Sequence, residues 1–537
     1  MGNMGKKSFL KGAAILGIAG LLTQVLGAVF RIPIANIIGT DGMAYYSAAY
    51  TIYVFLLVFS TNGAPAAISK MTSERLAFGK YKEAHRVFKL SFIFMAVFGA
   101  VLFCIVFFGG RFIVEAMSNP GAYYALLSIA PALLLVPLMS VYRGYFQGMQ
   151  EMMPTAVSQI AEQGVRVAAG IALAIALMPR GAELAAAGAA GGGSIGPIIG
   201  IIVLVIIYAA NRKRIAADIA ADTHTEKESA ASIIKTLAMI AIPITIGVSI
   251  QPIMNLGDTI FVMERLQNAA GFITKAAEDM FGALTGFAIP VINVPMAMAL
   301  SMALAIVPAV SAANSIGDRV ELESNIKLGF RTAMIIGVPC SFGLMCLAEP
   351  VIRLLFPMQT ESAPTAANCL FILSCGIVFL CIAQTMAGIL QGIGKVSLAV
   401  YGILAGFAVK CVFTYILAGI DELNVSGAAI ATLTGYIVIA LVNFAAVKRS
   451  TNIKIDIRLS VVKSVVSGLI MSIFVLAVYR LCVGVLGNSI TTILAVAVGA
   501  CVYGIVLIKI KGITADEIEK LPKGRLLTSL LRKVKLI

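Results

Sequence analysis

Four basic residues lie within or beside long apolar stretches of this chain, and their side chains are the ones best suited to chemistry: Arg31, Arg143, Arg166 and Lys410. A charged side chain at membrane depth is costly, so it usually faces a protein interior or a water-filled cavity. Several cations that meet in one cavity would bind an anion through charge-assisted hydrogen bonds. The sequence therefore predicts a site for an anionic substrate, such as a lipid that carries a phosphate.

Each of these residues also has a purely structural explanation. Glu162 lies four residues before Arg166 on the same helix face, so the two could form an ion pair within the helix. Arg31 and Arg143 lie near the ends of their apolar stretches, where a long side chain can extend to the membrane interface. Lys410 has no acid within one helical turn, and a lone buried lysine could lose its proton.

Further polar residues complete the predicted site. Asp258 and Asn255 lie one turn apart late in the seventh apolar stretch, and this carboxylate could bind a coupling cation or balance the cavity cations. Glu162 is a second candidate counter-charge, whereas Asp258 could instead be a helix-end acid near the outer surface. The two histidines lie in predicted inside loops and the nine cysteines form no CxxC pair, so we expect no metal site. No phosphate-binding loop or dinucleotide motif occurs, so we expect no cofactor.

The elements that must position these residues are membrane-spanning helices. The chain has 537 residues, of which 60% are hydrophobic and 12% charged, against about 45–50% and 25% in soluble domains. Fourteen stretches have the roughly 20 apolar residues that a spanning helix needs. The predicted fold is an all-α polytopic membrane protein with 14 transmembrane helices. Because Trp is absent, an interfacial aromatic belt would use tyrosines such as Tyr45, Tyr46, Tyr123 and Tyr124. The glycine run at 188–196 is predicted to be a flexible outside loop.

The formal net charge is +15, and the positions of the basic residues agree with the predicted topology. Most of the 41 Lys and Arg residues fall in alternate gaps between the apolar stretches, which is the positive-inside pattern. This distribution predicts a multi-pass protein of the cell membrane with both termini in the cytoplasm. It also argues against nucleic acid as a partner, because a basic inner face suits the anionic lipids of the inner leaflet.

The chain also contains an internal similarity. Gln147-Gly148 aligns with Gln391-Gly392, and in the same register Arg166 aligns with Lys410. An even number of helices per repeat gives two lobes of equal topology, related by an axis along the membrane normal. The predicted domains are a six-helix lobe at 1–212, a cytoplasmic linker at 213–229, a second six-helix lobe at 230–450, two added helices at 451–510, and a tail at 511–537 that forms an amphipathic helix on the inner surface.

Three motifs carry a family resemblance: TQVLGAVFRIPIANIIGTDGMAYYSAAY (23–50), NGAPAAISKMTSE (62–74) and YRGYFQGMQEMMPTA (142–156). As a set they resemble the multidrug/oligosaccharidyl-lipid/polysaccharide exporter superfamily, in the branch of stage V sporulation protein B and the MurJ-type lipid II flippases. The resemblance covers nearly the whole chain. It implies alternating access between two lobes, with a lipid-linked sugar diphosphate moving from the inner to the outer leaflet.

The resemblance also bears on the site. Arg31 falls near one first-helix arginine position of the family, Gln24 stands at the other, and Ile32 stands where an acidic residue is common. These departures leave room for a different undecaprenyl-linked glycan. The leading hypothesis is a flippase, not an enzyme, in which Arg31, Arg166 and Lys410 hold the diphosphate, with Arg143 and Gln24 as further contacts.

That flippase would translocate lipid II and draw energy from the membrane potential or an ion gradient. Its expected partners are the lipid-linked substrate, membrane lipids and the cell-wall synthesis machinery. One alternative is a flippase for another lipid-linked polysaccharide or teichoic-acid unit. A second is a multidrug or cation antiporter of the same architecture, which would favour buried carboxylates over buried cations. A third, a membrane enzyme acting on a polyprenyl lipid, would need a catalytic acid or nucleophile that the sequence does not display.

Overall fold

The computed structural model describes residues 2–224, 228–453, 457–510 and Gly512, and almost all of that part is helical, with no β-strand. The α-helices are α1 (Gly2–Val58), α2 (Ala64–Ala77), α3 (Tyr81–Ala116), α4 (Tyr123–Gly148), α5 (Met153–Leu177), α6 (Ala182–Ala221), α7 (Ala230–Asn268), α8 (Thr274–Gly282), α9 (Ile289–Ser315), α10 (Arg319–Cys346), α11 (Ala348–Leu355), α12 (Ala363–Cys375), α13 (Ile377–Gly392), α14 (Val396–Leu417), α15 (Asn424–Thr451) and α16 (Ile457–Lys509). The predicted amphipathic tail lies, apart from Gly512, outside the described residues.

Many of these helices can cross a membrane. Within the described residues, ten helical segments are long and apolar enough, or eleven if the bent pair α12 and α13 forms one span. The prediction of an all-α polytopic membrane protein is confirmed, whereas the count of fourteen stays a prediction. Two segments, Val29–Ala77 and Val461–Lys509, are 49 residues long. At about 1.5 Å per residue each far exceeds the roughly 30 Å of a bilayer core.

A glycine interrupts each of these two long helices. Gly39 in α1 has φ 70° and ψ −171°, and Gly487 in α16 has φ 71° and ψ 170°. This region of backbone space is open essentially to glycine alone, because a Cβ atom would clash there. The two glycines are therefore the points at which α1 and α16 change direction.

Contacts divide the chain into two compact units. Unit 1 contains the chain up to Glu264 together with Ile273–Gly282, and unit 2 contains Arg265–Phe272 and the chain from Ala283 onward. The predicted lobes at 1–212 and 230–450 and the linker between them remain predictions.

Unit 1 has a core formed by α2, α3, α4, α6 and α7. Ile68, Met71, Val87, Met95 and Val141 are completely buried there. Burial of such side chains contributes about 1.5–3 kcal/mol each relative to exposure. This core fixes the positions of α4 and α6, the helices that flank the candidate site.

Two sequence predictions in unit 1 are wrong. The glycine run at 188–196 is not an outside loop, because it lies inside α6 and its glycines are nearly all buried against neighbouring helices. Tyr45 and Tyr46 do not belong to an interfacial belt, because they are only 8% and 2% exposed. In both cases the composition suited a surface position, but close helix packing used the small or aromatic residues inside the unit.

Unit 2 is built around a second core, in which Val310, Ile326, Val338 and Ile389 are fully buried. Two of its helices approach closely at a glycine, as two helices of unit 1 also do. A Cβ atom on Gly392, at the end of α13, would lie 3.0 Å from the carbonyl oxygen of Val307 in α9.

The equivalent glycine in unit 1 ends α4. A Cβ atom on Gly148 would lie 2.9 Å from the carbonyl oxygen of Ser69 in α2. The two glycines lie 244 positions apart, as the predicted duplication requires, but the carbonyls they meet lie 238 positions apart, so the duplication stays a prediction.

The polar segment after α6 is attached to the beginning of α3. The backbone amide of Lys82 donates to Asp222 Oδ2 at 2.8 Å, and the amide of His224 donates to Asp222 Oδ1 at 2.9 Å. These two donors hold the pKa of Asp222 at about 2, well below its usual value. The carboxylate therefore stays ionised at physiological pH, and it supplies the first turn of α3 with a hydrogen-bond acceptor.

Candidate functional site

The direction change at Gly39 brings the two halves of α1 together. Phe30 precedes the break and Tyr46 follows it, yet their ring centroids are 6.2 Å apart in an edge-to-face arrangement. Arg31 therefore lies opposite the second half of its own helix. Its guanidinium carbon is 5.7 Å from the centroid of the Tyr50 ring, and its side chain is half-buried.

Three tyrosines form one face of this second half of α1. Tyr46, Tyr50 and Tyr53 are spaced by four and three residues, which places them on one side of a helix. The rings of Tyr46 and Tyr50 stack with centroids 5.7 Å apart, and the rings of Tyr50 and Tyr53 are 5.8 Å apart. The result is an aromatic surface with hydroxyl groups inside unit 1.

Arg166 of α5 faces the same tyrosines. Its guanidinium carbon lies 5.0 Å from the Tyr50 centroid, on a ring that Arg31 also contacts. The guanidinium is also within hydrogen-bonding reach of the hydroxyls of Tyr50 and Tyr46. Each such cation–π contact contributes about 0.5–2 kcal/mol, the larger value when the groups are desolvated. One tyrosine ring thus holds two positive side chains.

The ion pair of Glu162 is made with α4 and not within α5. Arg143 Nη2 donates to Glu162 Oε2 at 2.8 Å, and Arg143 Nε donates to Ser158 Oγ at 3.0 Å. Both charged side chains are largely buried, at 14% and 17% exposed. Arg143 and Glu162 therefore satisfy each other. Among the described residues, no carboxylate lies within 4.0 Å of the charged groups of Arg31 or Arg166.

Glycines allow the helix that carries Arg166 to pack closely against its neighbours. Gly192 of α6 lies directly against the Arg166 carbonyl, and a Cβ atom on Gly196 would lie 3.0 Å from the Arg166 Cβ. Gly170 of α5 leaves room for the Phe30 ring, which would be 2.9 Å from an added Cβ atom. Small residues let these backbones approach closely, as is common between membrane helices. The glycine-rich segment of α6 is thus part of the site architecture.

The charge balance of this cluster is positive. The guanidinium groups of Arg31 and Arg166 lie over Tyr50, and that of Arg143 pairs with the carboxylate of Glu162. These four charges leave a formal surplus of two positive charges. An excess of buried positive charge is unfavourable unless an anion or water balances it. A diphosphate group carries negative charge of matching size and accepts bidentate hydrogen bonds from guanidinium groups. The cluster could therefore bind an anion, and its use as a substrate site stays a prediction.

Lys410 lies in unit 2, on α14, and only 4% of it is exposed. Its Cβ would be 3.2 Å from a Cβ atom added to Gly435 of α15. The cation thus sits against a glycine of the following helix, as Arg166 does in unit 1. Its role in substrate binding remains a prediction.

The remaining predicted residues are distributed along α1 and α7. Asp258 is half-buried and Asn255 is exposed, and the Asn255 carbonyl accepts a hydrogen bond from Thr259 at 2.9 Å. The side chain of Gln24 lies outside the described part of the chain. A coupling role for Asp258 and substrate contact by Gln24 stay predictions.

Sequence reasoning missed the tyrosines. Tyr50 contacts both arginines, and Tyr46 stacks on it, but neither was predicted to be in the site. The signal was present in the segment YYSAAYTIY, where the spacing of aromatic residues matches one helix face. Without the turn at Gly39, however, nothing indicated that this face would lie opposite Arg31.

Comparison with known proteins gives a consistent result. The polysaccharide biosynthesis protein family matches residues 9–314, more than half of the chain, and the MatE family matches residues 279–416. The chain is 27% identical over 530 residues to stage V sporulation protein B of Bacillus subtilis (strain 168), with 98% of this chain and 100% of that protein covered. It is 27% identical over 518 residues to lipid II flippase MurJ of the same strain, with 92% and 94% covered.

One solved structure has a closely similar fold. Lipid II flippase MurJ in an inward closed conformation matches with a TM-score of 0.71 at 16% identity, and the match covers 91% of this chain and 97% of that one. At this identity the match establishes the fold and carries no information about cargo.

Proposed function

The chain belongs to the polysaccharide biosynthesis protein family, and on that premise we propose that it is a flippase for a lipid-linked cell-wall precursor. Within the multidrug/oligosaccharidyl-lipid/polysaccharide superfamily, its branch includes stage V sporulation protein B and MurJ. The proposed cargo is lipid II, an undecaprenyl diphosphate that carries a glycan. It would pass from the inner to the outer leaflet of the cell membrane by alternating access.

The observation that carries this proposal is the pair of guanidinium groups on Tyr50. Arg31 and Arg166 both face one tyrosine ring, at 5.7 and 5.0 Å, and neither has a carboxylate partner among the described residues. A site that is prepared for an anion keeps its cations unpaired but ordered, so that binding requires little rearrangement. The aromatic ring and the tyrosine hydroxyls supply that order here.

In this mechanism the two arginines bind the diphosphate and release it when the site opens to the other leaflet. Arg143 acts through Glu162, whose carboxylate limits the surplus charge and so prevents binding from becoming irreversible. Lys410 is the proposed counterpart of Arg166 in unit 2, because the predicted duplication places it at the equivalent position. The proposed energy source is the membrane potential or an ion gradient, with Asp258 as a candidate coupling group.

The test is a leaflet-accessibility assay for labelled lipid II in cells where this protein is the sole flippase. We expect Arg31→Ala to abolish surface exposure of lipid II and growth, while the variant still inserts into the membrane. The matched control is Arg111→Ala, because Arg111 is 82% exposed and, among the described residues, forms an ion pair only with its helix neighbour Glu115. Full activity of Arg31→Ala would contradict the assignment of the site.

A cation antiporter is the second candidate, and the match of the MatE family to residues 279–416 favours it. Such a protein would bind organic cations, for which a surplus of guanidinium groups is unsuitable. Efflux of cationic dyes from cells that express this chain, together with no lipid II exposure, would favour the antiporter. Dissipating the membrane potential or the proton gradient separately with ionophores would identify the energy source for either function.

A further inference from the structure

A second polar cluster lies in unit 1, where α8 packs on α1 just after the Gly39 break. Gly282, the last residue of α8, lies directly against the carbonyl of Thr40, so closely that a Cβ atom would not fit. Ala277, one and a half turns earlier, is completely buried. This end of α8 therefore contacts α1 backbone to backbone.

Two hydrogen bonds tie the helices together across this contact. The Thr40 hydroxyl donates to Asp279 Oδ1, and the Tyr45 hydroxyl donates to Glu278 Oε2 at 2.8 Å. Glu278 is only 6% exposed, so its carboxyl group is held in a nearly closed environment. Both acceptors are carboxyl groups of α8, and both donors come from α1.

A third carboxyl group makes this arrangement depend on protons. The side chain of Asp41 is in hydrogen-bonding contact with the side chain of Asp279, and the buried Asp41 Oδ1 has no hydrogen-bond partner in the described part of the chain. Two carboxyl groups can share a hydrogen bond only if one of them carries a proton. Without that proton, two carboxylates in such close contact repel each other strongly.

The surrounding charges do not relieve this repulsion. Glu278 adds a second acid from α8, Glu183 adds one from α6, and Lys275 is the cation whose charge acts on Asp41. Lys275 is exposed at the start of α8, where solvent screens its charge. The contact therefore holds more acid than base.

Protons have a route to the cluster. Tyr45, which binds Glu278, also lines a cavity of about 550 Å³. The other residues around this cavity are Tyr124, Arg180, Gly181, Ala182, Glu183 and Leu184. The polar lining and the size allow water to reach the hydroxyl that bridges α1 and α8.

From this geometry we infer that Asp41, Asp279 and Glu278 form a proton-operated latch between α1 and α8. With a proton shared between Asp41 and Asp279, the hydrogen bonds hold α8 on α1. When that proton leaves, three carboxylates face each other and α8 separates from α1. The latch needs no particular cargo, and only its use in regulating export rests on the proposed function.

The test measures how accessible the buried face of α8 is as the pH changes. A reporter cysteine replaces Ala277, which is buried against α1, and a reference cysteine replaces Thr274, which is exposed one turn earlier. The full chain is placed in lipid nanodiscs without lipid II, and a membrane-impermeant thiol reagent is applied between pH 5.5 and 8.5. The same chain without either added cysteine is labelled in parallel, and its signal, which comes from the native cysteines, is subtracted. The reference corrects for the greater reactivity of thiols at high pH.

We expect the ratio of Ala277→Cys to Thr274→Cys labelling to rise by about tenfold between pH 5.5 and 8.5, because loss of the shared proton opens the contact. Asp41→Asn should hold the ratio at its low-pH value throughout, because an amide donates to Asp279 without an added proton. Asp279→Asn provides the same test if Asp41→Asn does not fold. The control, Glu115→Gln, removes an exposed carboxylate of α3 and should keep the rise.

A ratio that does not change with pH while Asp41, Glu278 and Asp279 are intact would overturn the latch, and so would an unchanged rise in both Asn variants. Either result leaves the lipid II assay unaffected, since no lipid II is present. Conversely, absence of lipid II transport would defeat the proposed function without altering the labelling ratio.

Discussion

The helix pairs α5–α6 and α14–α15 hold a cation in the same way but in different surroundings. A Cβ atom on Gly196 would lie 3.0 Å from the Arg166 Cβ, and one on Gly435 would lie 3.2 Å from the Lys410 Cβ. Arg166 is half-buried and faces Tyr46 and Tyr50, whereas Lys410 is 4% exposed. In both pairs a glycine of the following helix lets the backbones approach closely beside the cation, whereas the surrounding residues determine how exposed the cation is.

The largest expected effect in this comparison is that of Arg166→Ala, which, like Arg31→Ala, should abolish lipid II exposure, a fall of about 100-fold or more. Two charge-assisted hydrogen bonds to a diphosphate would be lost, and each is worth about 1.5–3 kcal/mol. Arg166→Lys should recover only part of this loss, because an ammonium group cannot bind two phosphate oxygens in parallel. The leaflet-accessibility assay measures both variants. If Arg166→Lys were as active as the unmodified protein, charge alone would be sufficient.

Lys410→Met tests the other side of the comparison. Met preserves the aliphatic contact with Gly435, so the melting temperature should change by only a few degrees. We expect lipid II exposure to fall by about tenfold, less than for Arg166→Ala, because Lys410 is nearly closed to solvent. A loss as great as that of Arg166→Ala would mean that the two cations contribute equally despite their different burial.

Tyr50 distinguishes the arginine cluster from the lysine site. Tyr50→Leu removes the ring on which both guanidinium groups lie, and transport should fall about fivefold, which corresponds to about 1 kcal/mol. Tyr50→Phe keeps the ring and should reduce transport less than Tyr50→Leu does. If the Phe and Leu variants were equally impaired, the hydroxyl and not the ring would be the contributing group.

The smallest expected effects concern the glycines and are measured as melting temperatures. Gly192→Ala should destabilise unit 1 by about 1–3 kcal/mol, because the new methyl group would overlap the Arg166 carbonyl. Gly435→Ala should cost less, since its Cβ would lie 3.2 Å from the Lys410 Cβ and 3.3 Å from the Gly406 carbonyl oxygen, which is tight but does not overlap. Gly164→Ala is the control on α5, because nothing lies within 4 Å of that position and a helical alanine is preferred. A destabilised Gly164→Ala would show that the cost is not due to packing.

The comparison also shows where sequence reasoning succeeded. The apolar composition predicted an all-helical membrane protein, and the motifs at 23–50, 62–74 and 142–156 indicated the family. Both follow from local properties: hydropathy sets membrane insertion, and a motif is read along the chain. The glycine run at 188–196 was misread, because glycine suits a loop and a tight helix contact equally well in composition.

The sequence by itself determined that this chain enters a membrane as helices and that four cations lie within or beside its apolar stretches. It did not determine the partners of those cations. The sequence left open an ion pair of Glu162 with Arg166 on the same helix, but Glu162 pairs with Arg143 of α4. Only the tertiary structure placed Arg31 opposite Tyr50 and brought Asp41 to Asp279, because both contacts depend on the turn at Gly39 and on helices distant in the chain. Helix formation is specified locally, whereas the meeting of two side chains depends on how close their backbones pack.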